Sequence, residues 1–322
     1  MNLKNDNINL SIVIVNWNTC KITCDCLRSV YEQTKSISFE VIVIDNASSD
    51  DSVAVIKKEF PQVLLIANSE NLGFAAANNQ GMEIAKGKYV LLLNSDTVVL
   101  DHAIEKTIAF ADQNPQAGVI GCRILNPDMS LQRSCFMFPS LLNMFIGALY
   151  LNKFFPKSKF FGRERMTYWA HDTMREVETV MGAFMLVRKE AIDQVGIMDD
   201  SFFMYAEEAD WCYRFKKTGW QVLFTPDTKI VHLGGQSSNR VYTKMILQLR
   251  AGILQFIRKH HSKAYYFASC FMVSLWFGLR VIPWTIVGLI PSKKQKARQM
   301  AKAYVAGAIR ATRGYKALTA KN

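Results

Sequence analysis

The sequence predicts an α/β protein with a mostly parallel central sheet, helices on both faces and a C-terminal helical region. Three observations carry this. The first hundred residues alternate short, near-continuously apolar runs with segments of helical period, the pattern of a parallel sheet buried on both sides. Polar residues gather immediately after each apolar run, where ligands bind in sheets of this kind. From Val241 to Asn322 there are fifteen Lys/Arg and no Asp or Glu, so the chain changes character near residue 240.

The elements follow in order. Leu10–Val15 is a β-branched strand, and Ile22, Cys26, Leu27 and Val30 then share one helical face. Phe39–Ile44 forms the second strand, Val53, Ile56 and Phe60 mark a short helix, and Val63–Ile66 forms the third strand. Gly73–Ala85 reads as a helix of small residues and Tyr89–Leu93 as the fourth strand. Residues 126–159 carry Pro127, Pro139 and Pro156 among aromatics and give no clear period. Order returns with a strand near Ala183–Val187 and a helix over Lys189–Val195 capped by Gly196. A helix over Glu208–Thr218 and two short strands, Gln221–Phe224 and Lys229–His232, complete the set. These boundaries imply an α/β domain over residues 1–240 and a tail over 241–322, divided near Gly235–Val241.

The formal charge of +12 suggests a nucleic-acid partner, but its distribution argues against one. Residues 1–240 carry 24 basic and 27 acidic side chains. A nearly neutral body with a basic, apolar tail suits an anionic membrane surface. The polar N-terminus shows no secretion signal, and the seven cysteines form no CxxC pair or disulfide framework. Buried free thiols in a reducing, cytoplasmic setting are the expectation.

The four strand ends deliver Val15, Asn16 and Asn18, then Asp45, then Asn71 and Gly73, then Asn94, Ser95 and Asp96. Any one of these loops reads as a solvated turn or cap; four at one rim make a cleft for a polar ligand. Asp45 could accept the N3–H of a uracil or thymine ring. Gly73 would let backbone approach the ligand closely before a helix. Asp96 offers a hard oxygen to a divalent cation beside a diphosphate. A second cluster, Phe202 to Trp211, places Glu207, Glu208 and Asp210 at a helix start among aromatics. The carboxylates complement the helix dipole, and desolvation of one of them favours the raised pKa of a general base. His232, at a strand end before Gly234-Gly235, suits a ligand role.

These segments resemble the family-two inverting glycosyltransferases of GT-A fold, in particular the rhamnosyltransferase-like branch. The resemblance runs in order from Ser11 to about Lys259: Ser11-Ile-Val-Ile-Val-Asn16, Val41-Ile-Val-Ile-Asp45-Asn-Ala-Ser48, Asn71-Leu-Gly-Phe-Ala75, Leu92-Leu-Asn-Ser-Asp96 and Tyr205-Ala-Glu-Glu-Ala-Asp210. It implies that Asp45 binds the base, that Asp96 ends a DxD-type motif for Mg²⁺ or Mn²⁺, and that His232 reaches the metal or diphosphate. Glu208 would be the catalytic base, with Glu207 and Asp210 as alternatives, and Gly182-Ala183 would lie by the acceptor. Two positions depart from the pattern, Asn94 at the first DxD position and Glu208 where Asp is common. The resemblance implies a nucleotide-sugar donor, dTDP-rhamnose before a UDP-hexose, and a lipid-linked cell-surface glycan precursor as acceptor. A degenerate, non-catalytic scaffold is the competing reading. A dehydrogenase is disfavoured because Asn16-Trp17-Asn18-Thr19 stands where GxGxxG belongs.

The tail holds an uncharged stretch, Ala264–Leu279, then Arg280 and a second apolar run, Val281–Ile290, around Pro283. Each half falls short of the ~20 residues of a straight span. The expectation is an interfacial or re-entrant hairpin broken at Arg280 and Pro283, at the inner face of the cell membrane. A single span, and packing as soluble core or in a homodimer, are the alternatives. An amphipathic basic helix over Ala297–Tyr315 follows.

Overall fold

The structure, a computed structural model, describes residues 8–234 and 242–319. Its backbone divides into two compact units, each with its own packing.

The first unit comprises residues 1–136, 169–203 and 207–237. It opens with β1 (Leu10–Asn16), α1 (Cys20–Gln33), β2 (Phe39–Asp45), α2 (Ser52–Glu59), β3 (Leu64–Ala67), α3 (Phe74–Ile84) and β4 (Tyr89–Asn94). It continues with β5 (Thr97–Val99), α4 (Ala103–Gln113), β6 (Ala117–Leu125), β7 (Leu131–Gln132) and β8 (Cys135–Phe136). The strands run in the order β3-β2-β1-β4, all parallel, with β3 short and half-exposed as an edge strand. The alternation read from the sequence is this parallel half.

After residue 168 come β9 (Arg175–Glu176), β10 (Thr179–Val180), β11 (Phe184–Arg188), α7 (Lys189–Val195), α8 (Glu207–Lys217) and β12 (Gln221–His232). β11 inserts antiparallel between β4 and β6, β12 runs parallel to β6, and β5 closes the far edge antiparallel to β12. The sheet is therefore mixed, and β7 and β9 hang on it as short additions while β8 and β10 pair separately. Gln221–His232 is one strand where the sequence suggested two. Its pairing with β6 slips between Thr225 and Lys229, where Pro226 can donate no ladder hydrogen bond. The core is built from β-branched and Leu side chains of β1, β2, β4 and β11 against α1 and α4, with Ile12, Ile14, Leu27, Val43, Leu91 and Ile104 at zero exposure. All seven cysteines are free, six of them buried. Burial pushes the Cys26 and Cys212 thiols up to about 12, so they act as small apolar groups.

The second unit comprises residues 137–168, 204–206 and 238 onward. Within it lie α5 (Leu141–Ala148), α6 (Leu151–Phe154), α9 (Tyr242–His260), α10 (Lys263–Val287), α11 (Lys294–Thr312) and α12 (Tyr315–Thr319). The boundary expected at Gly235–Val241 lies outside the described residues. The hairpin broken at Arg280 and Pro283 is not what forms. Lys263–Val287 is one continuous helix that carries Pro283 inside it, and the return arm is α11, whose Gly307 allows the Phe277 ring to within 2.8 Å of where a β-carbon would stand. Arg280 fails to break the helix because its charge is absorbed. Its Nη1 donates to the Trp276 carbonyl (2.9 Å) and its Nη2 to the Gly147 carbonyl (3.0 Å), while the guanidinium stacks on Trp276 and Tyr150 at 3.5 and 4.2 Å. By length and composition α10 could cross a membrane.

Candidate active site

Register brings the expected residues to one edge. In the parallel ladders Asn16 pairs with Asp45, Val15 with Asn94, and Asp45 with Ala67. The carboxyl ends of β1, β2, β3 and β4 are thus level, and their loops share one rim.

On the β1–β2 side this rim is a closed polar network. Asn16, fully buried, donates from Nδ2 to Asp45 Oδ1 (2.6 Å) and Ser48 Oγ (3.1 Å), and its Oδ1 accepts from the Thr19 and Thr23 hydroxyls (both 2.7 Å). Asp45, 1% exposed, accepts a second bond from the Ser48 N–H (2.9 Å). Asn18 joins the two loops: its N–H donates to Ser48 Oγ and its side-chain oxygen accepts from the Ser49 N–H. In this structure Asn16 and Asp45 therefore brace the loops. Asn46, buried and absent from the candidates drawn from the sequence, is a hub. It donates to Asn71 Oδ1 (2.9 Å) and the Gly73 carbonyl (3.2 Å), and accepts from the Leu72 N–H (3.0 Å). Gly73 has φ +86° and permits a close backbone approach as expected, but the approaching group is the Phe203 carbonyl, which also accepts from the Phe74 N–H at the start of α3.

The β4 side is more open. The Asn94 N–H donates to the Ala183 carbonyl (3.1 Å), which seats Gly182-Ala183 beside the β4 end. Ser95 reaches the Thr19 hydroxyl at 3.4 Å. Because His232 pairs with Thr97 across β12 and β5, its ring meets the Asn94–Asp96 loop. His232 Nε2 lies 3.1 Å from Asp96 Oδ1 and 3.3 Å from Asn94 Nδ2. Its Nδ1 lies 2.6 Å from Oε1 of Gln132, a residue the sequence reading missed. The signal was there in the Asn126-Pro127-Asp128 turn that brings β7 back along β6.

The three carboxylates of α8 have different surroundings. Asp210 is fully buried and ion-paired with Arg214 Nε (2.9 Å), whose other nitrogens donate to the Val195 and Ile197 carbonyls. Glu207 is 2% exposed. Glu208 alone is partly accessible. Burial nevertheless pushes its carboxyl above the ordinary range, against the opposing pull of its own and the Gly182 backbone N–H. A β-carbon on Gly182 would stand 2.8 Å from Glu208 Oε1. Just before α8, Tyr205 and Ala206 both adopt left-handed φ values, +70° and +73°. Strain of this kind in non-glycine residues clusters at functional sites.

Comparison with known proteins shows the family and the fold. The family model for glycosyl transferase family 2 matches residues 11–196, more than half of the chain. An N-acetylglucosaminyl-diphospho-decaprenol L-rhamnosyltransferase of Mycobacterium tuberculosis is 29% identical over 214 residues, 62% of this chain and 68% of the relative. A low-salt glycan biosynthesis hexosyltransferase of Haloferax volcanii is 24% identical over 223 residues, 65% of this chain and 62% of the relative. Among solved structures, a mannosyltransferase from Pyrobaculum calidifontis in complex with GDP-Man and Mn²⁺ superposes with a TM-score of 0.57 at 15% identity, covering 97% of this chain and 85% of that one. That likeness shows the GT-A fold. The chain belongs to glycosyl transferase family 2, and its strand-end rim and α8 carboxylates are the candidate active site of a glycosyltransferase.

Proposed function

We propose that the protein transfers one sugar, with inversion, from a nucleotide-diphosphate donor to a lipid-linked glycan precursor, with rhamnose from dTDP-rhamnose as the first donor to test. The observation that carries this is the Glu208–Gly182 contact: one partly accessible carboxylate with a raised pKa, beside backbone held against the end of β4. The donor and acceptor classes are supported by the rhamnosyltransferase relative, whose name specifies a diphospho-decaprenol acceptor.

In this mechanism Glu208 takes the proton of an acceptor hydroxyl. The oxygen attacks the anomeric carbon from the face opposite the diphosphate, a carbon–oxygen bond forms as the bond to phosphate breaks, and the diphosphate leaves with the electron pair. General-base assistance of this kind contributes about 10²–10⁴-fold. Asp210 serves α8 rather than the substrate, since its charge is spent on Arg214. Asn16, Asp45 and Asn46 hold the nucleotide-side loops in shape. The direct contact of Asp45 with a base rests on the family resemblance.

Asp96 and His232 fit a divalent cation. They bring a carboxylate oxygen and an imidazole nitrogen within 3.1 Å of each other, a donor pair that suits Mn²⁺ or Mg²⁺ when phosphate oxygens complete the shell. Among the described residues no third His, Cys, Asp or Glu joins them. Such an ion, when bound, neutralises the charge that develops on the leaving diphosphate. A cytoplasmic, inner-membrane location is supported by the basic, apolar helices of the second unit and fits the proposed lipid-linked acceptor.

The test is a panel of nucleotide sugars with Mn²⁺, read by product formation on a short diphospho-lipid acceptor and by the anomeric configuration of the product. Turnover of dTDP-rhamnose with inversion is expected. Retention would overturn the mechanism, and turnover of a UDP-hexose alone would overturn the donor.

A further inference from the structure

Charge separates sharply between the two units. Residues 137–168, 204–206 and 238–322 hold 21 Lys/Arg against one Asp/Glu, leaving 18 basic and 26 acidic side chains for the rest. Within the basic unit, the segment Lys153-Phe-Phe-Pro-Lys-Ser-Lys-Phe160 alternates cations with aromatics. Lys153, Phe154, Phe155, Lys157, Lys159 and Phe160 are all exposed, Phe154 by 73%. Exposed phenylalanines in such density mark a contact surface, and interleaved lysines select an anionic one. The helix that precedes this segment, α5, is anchored to the apolar helix α10. The Leu141 N–H at the start of α5 donates to Tyr265 Oη (2.8 Å), and Arg280 of α10 donates to the Gly147 carbonyl at its end. Along α10, Phe267, Phe271, Ile282 and Ile286 recur at helical spacing and are exposed.

We propose that residues 153–160 form a second membrane-contact element, a Phe/Lys loop that inserts at the headgroup level of an anionic bilayer alongside α10. This rests on the membrane location proposed above and adds a site outside the C-terminal tail. Each Phe buries apolar area in the interface while the lysines stay with lipid phosphates.

The test is flotation of the full-length protein with phosphatidylglycerol/phosphatidylcholine vesicles. It compares wild type with Phe154→Ser/Phe155→Ser/Phe160→Ser and with Phe267→Ser/Phe271→Ser. All five side chains are exposed, so folding, checked by thermal melting, is expected to survive. The loop variant should lose about tenfold or more in partitioning and keep its nucleotide binding. Unchanged flotation of the loop variant, with loss in the α10 variant, would overturn the loop and leave the membrane reading intact. Wild type failing to float would overturn both. A loop variant that floats normally but turns a sedimenting dimer into a monomer would show the patch to be an interface between copies.

A separate observation concerns the metal-side histidine. A carboxylate only accepts, so Ser130 Oγ, 2.6 Å from Asp128 Oδ1, donates to it. Ser130 Oγ then accepts from Asn126 Nδ2 (2.9 Å), which turns Asn126 Oδ1 toward Gln132 Nε2 (2.9 Å). That nitrogen also faces the His232 carbonyl (3.3 Å), so Gln132 presents its oxygen to His232 Nδ1. We infer that Gln132 is a positioning residue that keeps the His232 proton on Nδ1 and leaves the Nε2 lone pair, beside Asp96, for a divalent cation.

Nitrogen-15 NMR of histidine-labelled, metal-free full-length protein at alkaline pH should show His232 as the Nδ1–H tautomer. Gln132→Met should mix the tautomers and weaken Mn²⁺ binding, measured by calorimetry with the metal alone, about 10–100-fold. Gln132→Glu, which keeps an acceptor at Nδ1, should restore both. An Nε2–H proton on wild-type His232, or unchanged tautomer and affinity in Gln132→Met, would overturn the assignment. Absence of Mn²⁺ binding by wild type would count against the metal reading alone, because the tautomer is read without metal.

Discussion

The Glu208 carboxylate occupies the space that a side chain at residue 182 would need: a β-carbon on Gly182 would stand 2.8 Å from Oε1 and 3.1 Å from Cγ. The first prediction follows. Gly182→Ala should displace the carboxylate, because Gly182 has an ordinary φ and the closest clash is with the Glu208 side chain, with Phe74 Cζ next at 3.2 Å. Turnover should fall about 10²-fold, the cost of a misplacement near 1 Å, with donor affinity retained. Steady-state kinetics beside calorimetric donor binding would check it, and a wild-type kcat would remove Gly182 from the site.

Glu208→Gln keeps size but cannot take a proton, so kcat should fall about 10²–10⁴-fold. The pH profile adds a sign. Burial raises the Glu208 pKa above 4.5, so the acidic limb of the wild-type rate should lie above the ordinary carboxylate range and vanish in the variant. Stability should move the opposite way. Between the ordinary and the raised pKa the folded chain holds a proton that the unfolded chain has released, so wild-type stability falls as pH rises through that window. Glu208→Gln should flatten this fall and melt no lower than wild type at neutral pH. A rate that stays near wild type in Glu208→Gln but collapses in Glu207→Gln would move the base by one residue.

Asp210→Asn should damage the fold before the chemistry. Asp210 is fully buried and Arg214 still has 21% of its side chain exposed, so the loss should fall toward the lower end of the ~3–5 kcal/mol typical of breaking a buried pair. Urea unfolding would give the number. A variant as stable as wild type yet inactive would make Asp210 a chemical participant.

What was legible in the sequence was whatever had a period. The β1–β4 half announces itself because continuous apolar runs such as Ile12–Val15 and Val41–Ile44 are needed only where both faces of a strand are covered, and strand ends in register bring Asn16, Asp45 and Asn94 level. Contacts between remote segments leave no period. Gln132 reaches His232 across a hundred residues, Phe203 closes on Gly73, and the α5–α6 segment is defined by its docking on α10. Arg280 misled for a related reason: a charge inside an apolar run reads as a break until Trp276, Tyr150 and the Gly147 carbonyl are seen to enclose it.

Asp96→Ala should abolish turnover and leave thermal stability nearly unchanged. Its carboxylate faces His232 at the rim and is not part of the apolar core. Excess chelator should silence the wild type, and Mn²⁺ or Mg²⁺ should restore it. Full activity in chelator would remove Asp96 and His232 from any metal role.

The last prediction concerns salt. The second unit carries a net +20 by its sequence, with 21 Lys/Arg and one Asp/Glu, and each cation near an anionic surface contributes about 1 kcal/mol at low salt. That attraction decays over a Debye length of about 8 Å at physiological ionic strength and about 3 Å at 1 M. Burial of Phe and Ile side chains in the interface is insensitive to this screening. The two contributions should therefore separate. On vesicles containing phosphatidylglycerol, 1 M salt should release only part of the full-length protein. On purely zwitterionic vesicles, binding should be weaker and nearly independent of salt. Complete release by salt would assign attachment to the lysines and arginines alone, with no insertion of Phe154, Phe155 or the α10 stripe. No dependence on salt or on lipid charge would make α10 an embedded segment held by its apolar surface.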